Sequence, residues 1–158
     1  MITDLIKPAA LKYGIDEHFL YALVSTESNF NPNVIRFERD YKYLYEINKC
    51  KLMVGCTMDT MINMQRTSWG LCQIMGALYY ELGGTNWCTM LLDPEINLKF
   101  ACEHIHNIID RQKITSHKEL YASYNSGYVR YMKDGTTFVN QSNVDRFMKT
   151  YMLIKKNN

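Results

Sequence analysis

The segment that most restricts the fold is a helical stripe that ends on an acid. Asp16 is placed to cap a helix over residues 16–29, and Phe19, Leu20, Leu23 and Val24 follow at the i, i+3, i+4 spacing that lines one face. Glu27 lies seven residues after Leu20, four after Leu23 and three after Val24, so it continues that stripe. Asn31-Pro32-Asn33 then stops the helix. A carboxylate on an apolar face, one turn from a helix end, faces either the interior or the floor of a cleft. Desolvation there favours the protonated form, the state a general acid needs near neutral pH. A hydrogen bond to a nearby loop would account for the same residue without catalysis.

The rest of the chain reads as helices joined by loops. Leu71–Leu82 has a helical pattern closed by Gly83-Gly84. Asp93-Pro94-Glu95 is a strong start, with a cap, a proline at the first position and an acid in the first turn, for a helix reaching about Arg111 with Ile105, Ile108 and Ile109 inward. A short helix over 118–124 breaks at Asn125-Ser126-Gly127. The last helix, over 143–155, carries Val144, Phe147, Met148, Tyr151 and Met152 on one face. Residues 37–67 are less regular: a short helix over 57–65 is expected, and a hairpin near Val54-Gly55 stays open. With 158 residues, 47% of them hydrophobic, one domain over 1–158 with one core is the expectation.

Charge and cysteine usage narrow the function classes. Eighteen basic residues are scattered among sixteen acidic ones, with no Lys/Arg stripe, which argues against nucleic acid as a partner. Five Cys with no CxxC pair argue against a disulfide framework and against a zinc site; thiols are expected, with a Cys50–Cys56 pairing left open. His104 and His106, two apart on a helix, point to different faces. No cofactor or metal is expected. No signal peptide and no membrane span are visible.

Two further stretches hold polar residues where an apolar run would be cheaper. Ser68-Trp69-Gly70-Leu71-Cys72-Gln73-Ile74-Met75 places a Gln inside apolar sequence, where it must bond either backbone or a ligand. Tyr124-Asn125-Ser126-Gly127 reads either as a plain helix end or as a loop edge offering a hydroxyl and an amide to a substrate.

Taken in order, Glu27-Ser28-x-Phe30-x-Pro32, Ser68-x-Gly70-Leu71-x-Gln73-Ile74-Met75 and Tyr124-Asn125-x-Gly127 resemble the three motifs of the soluble lytic transglycosylase family, most closely its small phage and prophage members. Ile35-Arg36-Phe37-Glu38, Glu81-Leu82-Gly83, Leu92-Asp93-Pro94 with Asn97-Leu98, and Asn140-Gln141 with Val144-Asp145-Arg146 extend the likeness over about residues 10–150. Cys72 stands where the pattern usually has Met, and Asn143 where it usually has Tyr. The resemblance implies a predominantly α-helical (α+β), lysozyme-like single domain with a small loop- or β-rich lobe, here about 37–67. It implies Glu27 as the catalytic carboxylate, with Ser68, Gln73, Tyr124 and Asn125 as substrate-binding residues.

The activity so implied is cleavage of peptidoglycan between N-acetylmuramic acid and N-acetylglucosamine with formation of 1,6-anhydromuramyl ends. Water as nucleophile would instead give a muramidase, which calls for a second acid; Glu38 is the nearest in sequence, and an ion pair with Arg36 or Arg39 is its simpler role. A non-catalytic, virion-associated glycan-binding module is the alternative of a different class. A monomer is expected, made in the cytoplasm and acting on the bacterial wall either after holin release, as an endolysin, or as a virion part.

Overall fold

The computed structural model describes residues 1–157. Among these the elements are α1 (Thr3–Tyr13), α2 (Glu17–Ser28), β1 (Ile35–Phe37), α3 (Ile47–Val54), α4 (Met58–Gln65), β2 (Thr67–Trp69), β3 (Ile74–Met75), α5 (Gly76–Glu81), a 3-10 segment (Cys88–Leu92), α6 (Pro94–Gln112), α7 (His117–Ser126) and α8 (Gln141–Asn157). The class is the expected one, mostly helical with a small antiparallel sheet. The described residues form two compact units, one from residues 3–26 and 102–157 with Met1, the other from 27–101 with Ile2; the divisions fall within α2 and α6.

The first unit is built on aromatic packing. Tyr121 of α7 stacks on Phe147 of α8 with ring centroids 4.2 Å apart, and Phe147 also meets Phe19 of α2 at 5.0 Å. All three rings, with Leu20 and Leu23 of the expected stripe, are shut away from solvent. Fully burying such side chains contributes roughly 1.5–3 kcal/mol each. Asp16 caps α2 as expected, accepting from the Phe19 N–H at 3.0 Å, and also accepts the Tyr151 hydroxyl at 3.2 Å. Burial works against its charge, but the Phe19 N–H, the neighbouring His117 and the Tyr151 hydroxyl outweigh burial and hold the carboxyl below its usual range.

The second unit contains the sheet, in the order β1-β2-β3 and antiparallel throughout. Arg36 pairs with Ser68, and Ser68 in turn with Met75. Central β2 is buried along its length and edge β1 is exposed. In segment 37–67 the strands lie at the edges, and the interior holds α3 and α4. The open hairpin at Val54-Gly55 is instead a helix end, where Gly55 takes φ +75° and its N–H bonds the Lys51 carbonyl. The expected helix over 57–65 is α4, capped by the Thr57 hydroxyl.

The helix expected over 71–82 is also corrected. Leu71–Gln73 is a turn, Ile74 pairs with Trp69 in the sheet, and helix begins only at Gly76. Gln73 sits at φ +51°, off the helical path, and the run around it is apolar because most of it is buried. Asn97 makes this turn possible. Fully buried, it donates to the Trp69 and Leu91 carbonyls, both at 2.8 Å, and accepts the Cys72 N–H at 2.8 Å. Gly70 packs so closely that a Cβ there would lie 2.2 Å from the Leu91 oxygen and 2.4 Å from the Asn97 Nδ2.

None of the five cysteines is in a disulfide. Burial pushes the thiols of Cys88 and Cys102 up to about 12, so both stay protonated. Replacing Asn97 by Ala strands one buried N–H and two carbonyls. Urea unfolding should show a loss of about 3 kcal/mol, and a loss below about 1 kcal/mol would deny Asn97 this role.

Candidate active site

In the second unit, Glu27 is the penultimate residue of α2, half-buried and one turn beyond the sequestered Leu23 and Val24. The helix cannot run on, because Asn29 and Phe30 both take left-handed conformations, at φ +50° and +63°. Asn31 then closes a short turn on the Asn33 N–H at 2.9 Å. The chain reaches Val34, whose carbonyl accepts the Gly70 N–H at 2.8 Å and the Gln73 amide at 3.1 Å. The chain that leaves the first motif is thereby tied to the turn of the second.

Ser68 and Gln73 form the centre of that tie. The Ser68 hydroxyl donates to the Gln73 oxygen at 2.9 Å, with the Arg36 carbonyl a more distant acceptor at 3.3 Å. The Gln73 amide also donates to the Gly70 carbonyl at 2.9 Å. Both side chains are buried and their polar atoms face protein partners. Of the two roles open to a Gln in apolar sequence, bonding backbone is the one this geometry displays. Glu38 pairs with Arg36, the simpler of the roles open to it.

In the first unit, Tyr124 and Asn125 occupy the last turn of α7, the helix end of the two readings left open for them, and the helix runs two residues past Tyr124, where it was expected to stop. Gly127 at φ +86° lies just past the helix end, and its N–H bonds the Ser123 carbonyl at 2.7 Å, so the helix extends through Ser126. Gln112 supports this end, donating to the Ser123 hydroxyl at 2.7 Å and the Gly127 carbonyl at 3.3 Å. Tyr124 is half-buried, with its ring 5.2 Å from the imidazole of His104 on α6. Asn125 is exposed, and its oxygen accepts from the amides of Asn140 at 2.9 Å and Asn143 at 3.0 Å.

His104 and Gln112 carry no sequence signal beyond helical spacing, because only the fold places them under the α7 turn. Among the described residues no three His, Cys, Asp or Glu side chains gather to hold a metal ion. Burial, with a smaller contribution from the Arg111 charge, lowers the His104 imidazole from 6.5 to about 4, so the group beside Tyr124 is neutral at physiological pH. As pH falls the unfolded chain binds this proton first. The stability tied to neutral His104 is therefore complete above 6.5 and lost between 6.5 and about 4. Thermal midpoints measured across that window should fall less steeply for His104→Gln than for wild type; parallel slopes would contradict it.

A protein-family model described as the transglycosylase SLT domain matches residues 4–144. No curated protein and no solved structure matches the chain.

Proposed function

The chain belongs to the SLT transglycosylase family, and from that premise we propose that it cleaves the β-1,4 bond between N-acetylmuramic acid and N-acetylglucosamine in peptidoglycan. The family match over residues 4–144 carries this reading, since it spans all three motifs with Glu27 intact. Glu27 donates a proton to the leaving glycosidic oxygen. The muramyl N-acetyl carbonyl stabilises the electron-poor C1 centre. The anionic Glu27 then takes the proton from the muramyl C6 hydroxyl, whose oxygen bonds C1 and closes a 1,6-anhydro ring. One carboxyl serves as acid and then as base.

Tyr124 and Asn125 contact the sugar, supported by the partial exposure of the first and the greater exposure of the second. Ser68 and Gln73 act differently. Their polar atoms are engaged with each other and with the backbone of residues 34–36 and 70, so they hold the strand after α2 in place. Water as nucleophile in an inverting arrangement would require a second carboxyl about 6.5–9.5 Å from the first. The ion pair between Glu38 and Arg36 disfavours Glu38 for that task. The likeness of the motifs to small phage and prophage members supports a lysis role, with release to the wall through a holin. No helix among the described residues is long and apolar enough to cross a membrane.

Glu27→Gln should lower the rate of turbidity loss on purified peptidoglycan by at least about a hundredfold while binding to the wall persists. Undiminished lysis would remove Glu27 from the chemistry. Mass spectrometry of the wild-type digest should show anhydromuramyl ends; reducing ends would establish a hydrolase instead.

A further inference from the structure

An asparagine side chain offers two N–H donors on one side and an oxygen acceptor on the other, and a half-turn about its last bond exchanges them. An Asn that meets a ligand therefore presents a defined chemistry only if something fixes the amide. At Asn125 that something is visible. The fixed point is a main-chain acceptor, the carbonyl oxygen of Ala122. Asn140 lies 3.1 Å from it and must turn its Nδ2 toward it. The same Nδ2 lies 2.9 Å from the Asn125 side chain, so the Asn125 atom there is the oxygen. That oxygen is 3.0 Å from the Asn143 side chain, which must then also present its Nδ2. One backbone carbonyl sets the orientation of three carboxamides in turn.

The framework around them is regular. Asn140 immediately precedes α8 and Asn143 is its third residue, and the Asn143 and Val144 N–H groups both bond the Asn140 carbonyl, at 3.0 and 3.2 Å. Asn125 is in the last turn of α7. With two donors directed at its oxygen, the Asn125 amide has its NH2 group on the opposite side, and the residue is exposed.

We infer that Asn143, together with Asn140, is a positioning residue that locks the Asn125 carboxamide so that its N–H donors, not its oxygen, meet the substrate. The ligand group this turn accepts is a hydrogen-bond acceptor, a carbonyl or hydroxyl oxygen of the sugar. The inference rests on the peptidoglycan-cleaving reading above and adds the direction of the bond and the residues that enforce it. Asn143 acts through Asn125 and has no contact with the reacting atoms.

The test is a double-mutant cycle on purified peptidoglycan. Asn143→Leu removes the donor at similar volume, and Asn143→Asp keeps the shape while replacing the donor with an acceptor. Each is measured for kcat and KM in the wild-type and Asn125→Ala backgrounds, with thermal midpoints recorded. Both Asn143 changes should lower kcat/KM about tenfold, mainly through KM, the scale of one well-made hydrogen bond. In the Asn125→Ala background they should add nothing, because the group they orient is gone. An equal loss in both backgrounds would mark Asn143 as merely structural and overturn the inference. So would wild-type KM in the Asn143 variants or in Asn125→Ala. Glu27→Gln run alongside separates the two levels: if it is silent while the Asn143 variants keep wild-type KM, only the positioning role falls. If it still cleaves, the functional reading falls with it.

Discussion

Irregular backbone inside a protein leaves N–H and C=O groups without helix or ladder partners, and each such group is costly when buried. In this chain carboxamide side chains supply the partners. A carboxamide carries donor and acceptor together, so one side chain can bridge two or three main-chain groups that point in different directions. Asn97 does so for the turn between β2 and β3. Gln65 does so for Tyr45, accepting its N–H at 2.7 Å and donating to its carbonyl at 2.8 Å. Gln73 joins Val34 to Gly70, and Gln112 joins the end of α7 to the Val129 N–H at 3.3 Å.

This matters because the candidate site residues sit where regular structure ends. Glu27 stands one residue before the end of α2, ahead of two left-handed residues, and the chain beyond it is fixed through Val34 by Gly70 and Gln73. Tyr124 and Asn125 stand just before the end of α7, fixed by Gln112 and by the Asn140 and Asn143 amides. Both places use the same physics: a helix presents side chains at its last turn, and side-chain amides hold the departing chain. The residues proposed to touch sugar are therefore placed by residues that need not touch it.

Legibility in the sequence followed the same division. The stripe of α2, the Asp16 cap, the Asp93-Pro94 start of α6 and the apolar face of α8 could all be read, because neighbours three and four apart along a helix interact locally. The turn at Leu71–Gln73 could not. Its apolar run is buried and so carries no periodic face, and the pairing of Ile74 with Trp69 is settled across the turn. Helix α3 was missed because no continuous stripe marks it, and α1 carries Pro8 inside it. The order of the three motifs disclosed the family, and with it a lysozyme-like class. The partners of Ser68 and Gln73 were open until the fold placed Val34 and Arg36 beside them.

By itself, then, the amino-acid order determined that α2, α6, α7 and α8 are helical, where an acid interrupts an apolar face, and which family's motifs recur, because each depends on spacing along one chain. Tertiary structure alone decided which carbonyl each buried amide bonds, that α7 runs on through Ser126, and that Asn143 reaches back to Asn125. Among these hydrogen bonds, Asn143 reaches eighteen positions back to Asn125 and Gln73 thirty-nine back to Val34. Their energy depends on distance in space and on the direction of the donor, and neither is encoded in local spacing.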